Sequence, residues 1–158
     1  TVSVPKIDET VDNPIDLTAA LTKMYIYNNR ILFSFDQNKK ITQVLYIDLT
    51  DLKCSTDSFR KSFYQPKKTN SFIHKNKIFI ASSNIKKLHL EVLDLQTKEI
   101  IKKYEIDENQ TIDFKNGPIT QKGGVYTSGK ELKTTKQFLR KITKDKLPKI
   151  DVRLITLI

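Results

Sequence analysis

Two stretches of this chain share one order of apolar alternation and polar turn: "NNRILFSFDQNKKITQVLYIDLTDLK", from Asn28 to Lys53, and "KNKIFIASSNIKKLHLEVLDLQTKEI", from Lys75 to Ile100. Ile26-Tyr27-Asn28-Asn29-Arg30-Ile31 falls on Ile73-His74-Lys75-Asn76-Lys77-Ile78 at an offset of 47 residues, and Ile47-Asp48-Leu49 falls on Leu93-Asp94-Leu95 at 46. A fainter third copy puts Val125-Tyr126 in the place of Ile78-Phe79, again 47 on, with "QFLRKIT" where a third strand would stand. A period of this length accommodates four short antiparallel strands. Such a unit is a small twisted sheet with two faces, and it cannot bury either face by itself. Neighbouring sheets must therefore stack.

The strands can be placed from period-2 alternation. Met24 and Ile26, then Ile31, Phe33 and Phe35, alternate with polar neighbours on either side of Asn28-Asn29. Asn tolerates the left-handed backbone of tight hairpin turns, so this is a hairpin signal. Ile41–Leu49 reads as a third strand and the region around Ser58–Tyr64 as an outer fourth. The second unit repeats the order through "SFIHK", "IFIASS", "LHLEVLDL" and "IIKKYEI". The sequence thus predicts an all-β chain of four-stranded antiparallel repeat units of about 47 residues, over 22–68, 69–115 and 116–158, after an extended acidic lead-in over 1–21 with one short strand at Val2–Val4. Radial stacking of such units is the β-propeller arrangement, which also shortens exposed sheet edges. A propeller normally has at least four blades, so the expectation is a partial propeller or an open stack. The start at Thr1 and the apolar ending "PKIDVRLITLI" fit a piece of a longer array.

One segment sets two signals against each other. In "GKELKTTKQFLRKITKDKL", Leu132, Phe138, Leu139 and Ile142 share roughly one helical face. Ser128 and Glu131 have the spacing of a capping box. The repeat instead asks for a strand from Gln137. The expectation is a loop or short helix at 130–136 followed by a strand, with a helix near 130–142 as the alternative.

"YNNRILFSF…LYIDLTDLK" and "HKNKIFIAS…EVLDLQTKEI", over roughly 22–106, resemble the blades of loosely conforming β-propeller-like repeat proteins of bacterial cell envelopes. The third unit matches only in "GGVYTSG" and "FLRKI", and the Gly-His and Trp-Asp marks of WD40 blades are missing. The resemblance implies an architecture, and a place in the cell envelope or outside the cell. It implies no activity.

Charge bears on partners. The formal net charge is +10, and it is unevenly placed. Residues 1–21 hold one lysine against four acids, whereas Lys130–Lys149 holds eight basic residues against two acids. Such a field favours anionic partners. Only four of the 28 basic residues are arginine, the preferred reader of phosphate and bases, so lysine as polar filler is the simpler reading. Basic residues lie beside aromatics in "SFRKSFYQPKK" and "KTTKQFLRK", the composition that holds single-stranded nucleic acid. These stretches give the candidate binding surface: Arg60, Lys61, Tyr64, Lys67 and Lys68, with Lys133, Lys136, Arg140 and Lys141.

Catalytic and metal-binding patterns do not emerge. His74 and His89 have no carboxylate or cysteine at ligand spacing, and Cys54 has no nucleophile context. The four glycines match no phosphate loop. Asp48 and Asp94, at the ends of third strands, read as caps of the following turns. No apolar run approaches the ~20 residues of a transmembrane helix. The sequence therefore predicts a non-enzymatic interaction or scaffold module with no cofactor and no metal. Its partners would be proteins, with other chains or further blades completing the stack. The alternative is nucleic-acid or other anionic-ligand binding through the lysine-rich surface.

Overall fold

The computed structural model describes residues 4–8, 13–115, 117–123 and 126–144. About half of the chain is strand, in two main sheets and a hairpin. The first sheet runs β1 (Lys6–Ile7), β2 (Thr22–Tyr27), β3 (Arg30–Phe35), β4 (Ile41–Asp48) and β5 (Cys54–Arg60), in that spatial order. It is antiparallel except that β1 joins β2 in parallel, with the amide of Met24 donating to the carbonyl of Pro5 at 2.9 Å. The second sheet is the antiparallel meander β6 (Lys68–His74), β7 (Lys77–Ser83), β8 (Lys87–Asp94) and β9 (Ile100–Asp107). A short helix α1 (Ile15–Thr18) precedes the first sheet, and the hairpin β10 (Thr120–Gly123) and β11 (Tyr126–Glu131) leads to helix α2 (Thr135–Lys144).

The two meanders correspond turn for turn. Tyr27 pairs with Arg30 and Arg30 with Asp48; His74 pairs with Lys77 and Lys77 with Asp94. The first turns open on residues in the left-handed region, Asn28 at φ 47° and Lys75 at 53°. The third turns contain Leu52 at 56° and Lys98 at 63°. Asp48 Oδ1 accepts the amide of Thr50 (2.9 Å), and Asp94 Oδ1 accepts those of Gln96 (2.7 Å) and Thr97 (2.9 Å). Both aspartates are turn caps, as the sequence predicts.

Alternation puts every second residue of a strand on the same face. On the first sheet, Tyr25, Leu32, Val44 and Phe59 share a face. They form one core with Ile73, Ile78, Ile80 and Leu93 of the second sheet. The opposite face of the second sheet carries Leu88, Leu90 and Ile106, covered by Leu139, Phe138 and Ile142 of α2 together with Ile112 and Ile119. The order is thus first sheet, second sheet, then helix.

Polar groups stitch the two sheets together. Asp36, buried just after β3, accepts the Ser71 amide (2.9 Å) and hydroxyl (2.6 Å) from β6, the Thr42 hydroxyl (2.7 Å) and the Lys61 ammonium (3.1 Å). The Lys23 ammonium lies 3.5 Å from the same carboxylate and donates to Asn70 Oδ1 at 2.7 Å. Every lone pair of the buried acid thus has a donor, which is what a charge out of water requires.

Several expectations change in detail. The outer strand of the first sheet is Cys54–Arg60, ahead of the expected Ser58–Tyr64. In the third unit, the expected strand from Gln137 is helical. Thr134 Oγ1 caps the amide of Gln137 (3.2 Å), Gln137 Oε1 accepts the amide of Lys133 (3.0 Å), and the apolar face docks on the second sheet. The cap is Thr134, and Glu131 belongs to β11 rather than to a Ser128 capping box. The described residues close no barrel or propeller. Val2 and the stretch 145–158, including "PKIDVRLITLI", lie outside the described residues.

Candidate functional site

The residues predicted to form a basic surface fall on two separate parts of the fold. Arg60 ends β5, Tyr64 and Lys67 follow it in the connector, and Lys68 opens β6. Arg60 and Lys67 are exposed, Lys68 is half-buried, and Tyr64 is 80% exposed. Lys61 does not belong to that surface. It is buried at 4% exposure, because its ammonium is drawn inward onto Asp36 and the Asn38 carbonyl (3.1 Å). Lys133 precedes α2, and Lys136, Arg140 and Lys141 lie on the helix surface away from the core. Lys136 is paired with Glu108 at 3.3 Å. Among the described residues no hydrogen bond or ion pair joins the two groups. Of the aromatics beside the first, Phe59 is buried in the core and Phe63 packs against His89 (centroids 5.6 Å apart). Only Tyr64 offers an open ring.

A different surface stands out from the faces of the first sheet. Met24, Ile26, Ile31, Phe33, Phe35, Ile41, Leu45 and Ile47 all lie on the face turned away from the second sheet. Each is half-buried, apart from Ile26, which is 47% exposed. The rings of Phe33 and Phe35 stack 6.4 Å apart at 22°. No described residue of another element joins these side chains in a core cluster. Contiguous apolar surface of this kind marks an interaction site in soluble proteins. The alternation was visible in the sequence; that no other described element covers the face was not, because burial depends on which neighbours are present.

A cleft of about 1240 Å³ opens where the turns of the two sheets meet, with Tyr27, Leu32, Tyr46 and Leu95 among its walls. Arg30, Lys53 and Lys75 are matched there by Asp48, Asp51 and Asp57, so the cleft is charge-balanced in a basic chain. The Tyr46 phenol is pushed up to about 12 by burial, with Asp57 adding and Arg30 opposing. Asp48 is held below the ordinary carboxylate value by the Thr50 amide and hydroxyl, with Arg30 helping. At Asp36 burial acts to raise the value, and the Lys23 and Lys61 ammoniums with the Ser71 and Thr42 hydroxyls more than reverse it. Burial lowers His89, against the pull of Glu91. Cys54 is exposed at the start of β5. Among the described residues no cluster of three or more His, Cys, Asp or Glu could hold a metal ion, and no helix is long and apolar enough to cross a membrane.

Comparison with known protein families, curated proteins and solved structures finds no match.

Proposed function

We propose that this chain is a scaffold module of stacked, propeller-like four-stranded sheets, and that its first sheet docks a further sheet of the same kind through the apolar face that no other described element covers. One correspondence carries the reading. Ile31 and Phe33 stand 47 residues before Ile78 and Ile80, and Ile47 stands 46 before Leu93. In the second sheet those three residues are buried against the first sheet. The first sheet therefore presents outward the face by which its sequence counterpart docks. An occupant that reproduces the existing sheet–sheet contact, with residues such as Tyr25, Leu32 and Val44 on its inner side, matches it in period and in chemistry. Fully burying an exposed large apolar side chain contributes about 1.5–3 kcal/mol; these are already half-buried, Ile26 apart, so each adds a fraction of that, and the interface rests on all eight together.

The alternative of nucleic-acid binding has less behind it. Its basic residues are split between two regions, Lys61 is internal, and one open aromatic ring gives little base stacking. Phosphate binding would also weaken steeply as salt rises.

The test is the behaviour of the chain by itself. With the face bare, it binds an apolar dye and self-associates as its concentration rises. Phe33→Lys combined with Leu45→Glu, an opposite-charge pair across the two strands, abolishes both while leaving the melting temperature nearly unchanged. A wild-type chain that stays monomeric and dye-silent would count against the proposal.

A further inference from the structure

The connector between the sheets crosses a buried histidine. His89 is 2% exposed, and neither ring nitrogen has a hydrogen-bond partner. Buried imidazoles usually have one. Its ring lies against Phe63 of the connector, and it shares a strand face with Glu91 two residues on. Glu91 is itself buried, and its carboxylate holds the connector by accepting the Ser62 amide (3.1 Å) and hydroxyl (2.6 Å). The remaining charged groups acting on the imidazole are Lys87 on its own strand, and Lys103 and Glu105 on β9. Lys87 and Glu105 pair with one another at 2.7 Å. From β7 it faces Ser82, which is engaged with Thr69. From the connector come only Phe63 and Ser62, since Lys61 is committed to Asp36.

We infer that His89 and Glu91 form a proton-operated latch on the connector between the two sheets. With a neutral imidazole, Glu91 holds Ser62, with Lys103 opposite it on β9 at the exposed edge of the cluster. A proton taken up from solvent by the imidazole creates a buried cation beside that carboxylate, with two N–H donors and no acceptor already in place. The carboxylate is then shared with or transferred to the imidazolium, and Ser62 loses its acceptor. The connector, with Phe63, loosens from the second sheet. Depression of the histidine by burial sets the change below neutrality.

The measurement uses the Ser62 amide as reporter. The chain has two histidines, so its ring signals can be followed individually by NMR, with the half-buried His74 as internal reference. Between pH 7.5 and 4.5, the latch requires the Ser62 amide signal to move with the midpoint of the His89 ring, below the ordinary histidine value of about 6.5. His89→Phe abolishes that movement, and Glu91→Gln removes the offset between the Ser62 signal at high and low pH. A Ser62 signal that stays constant while His89 titrates overturns the latch. So does one that still moves in His89→Phe, because the imidazole would then not be the cause of the movement. Should His89→Phe fail to fold, the match of midpoints in the unmodified chain still decides.

Discussion

Asp36 of the first sheet receives both the backbone N–H and the hydroxyl of Ser71 from the second, at 2.9 and 2.6 Å. The acid also faces two buried ammoniums, so this single carboxylate joins the sheets electrostatically as well as by hydrogen bonds. Asp36→Ala leaves Lys23 and Lys61 as buried cations without their counterion. The expected cost is about 3–5 kcal/mol, since removing one partner of a buried pair costs more than the pair itself contributes. Chemical denaturation measures it.

The same carboxylate sets an acid limit. Its folded-state value lies below the unfolded one, so between the two values the folded state binds fewer protons than the unfolded state. Its stabilisation is complete above the unfolded value of about 4 and is lost as pH falls through the lower folded value. The melting temperature is expected to drop below about pH 4 in the wild type. Asp36→Asn, destabilised throughout, should show a shallower drop over that window.

Turn residues in the left-handed region offer stabilising substitutions. Leu52 is 74% exposed at φ 56°, and Lys75 sits at φ 53°. Neither side chain favours that backbone. Leu52→Gly and Lys75→Gly should each be neutral to stabilising, by up to about 1 kcal/mol, because relief of strain opposes glycine's extra unfolded-state freedom. Alanine at either position should not stabilise. Thermal melts of the four variants separate these outcomes.

The Tyr27 hydroxyl bridges the sheets at the cleft, accepting the amide of Lys75 (2.8 Å) and donating to the Ile73 carbonyl (3.3 Å). Tyr27→Phe keeps the ring and removes both bonds. A loss of about 1 kcal/mol is expected, and amide exchange at Lys75 should accelerate with it.

Much of this architecture was legible in the sequence. The offset of 47 located both meanders, and Asp48 and Asp94 could be read as caps, because alternation and turn chemistry are local properties. What could not be read was tertiary. Lys61 looks like its solvated neighbours Arg60 and Lys67, and only the position of Asp36 across the sheet turns it inward. "QFLRKIT" has a helical face as well as the position at which a third repeat would put a strand. The helix prevails because Phe138, Leu139 and Ile142 can all reach the second sheet from one face and Thr134 caps its start. The candidate interface was written in Ile31, Phe33, Leu45 and Ile47 from the start, but its exposure depends on which sheets are present.

The central claim is that this outward face takes another sheet. A photo-crosslinking residue at Phe33, introduced into the protein in its natural setting, tests it directly, with the same residue at Ile80 as an internal reference. The Ile80 probe should crosslink within the chain, to the first sheet. The Phe33 probe is predicted to crosslink to a strand of alternating apolar residues in a further four-stranded unit, identified by mass spectrometry. Crosslinks from Ile80 with none from Phe33, or with Phe33 products only to lipid or nucleic acid, would contradict the account.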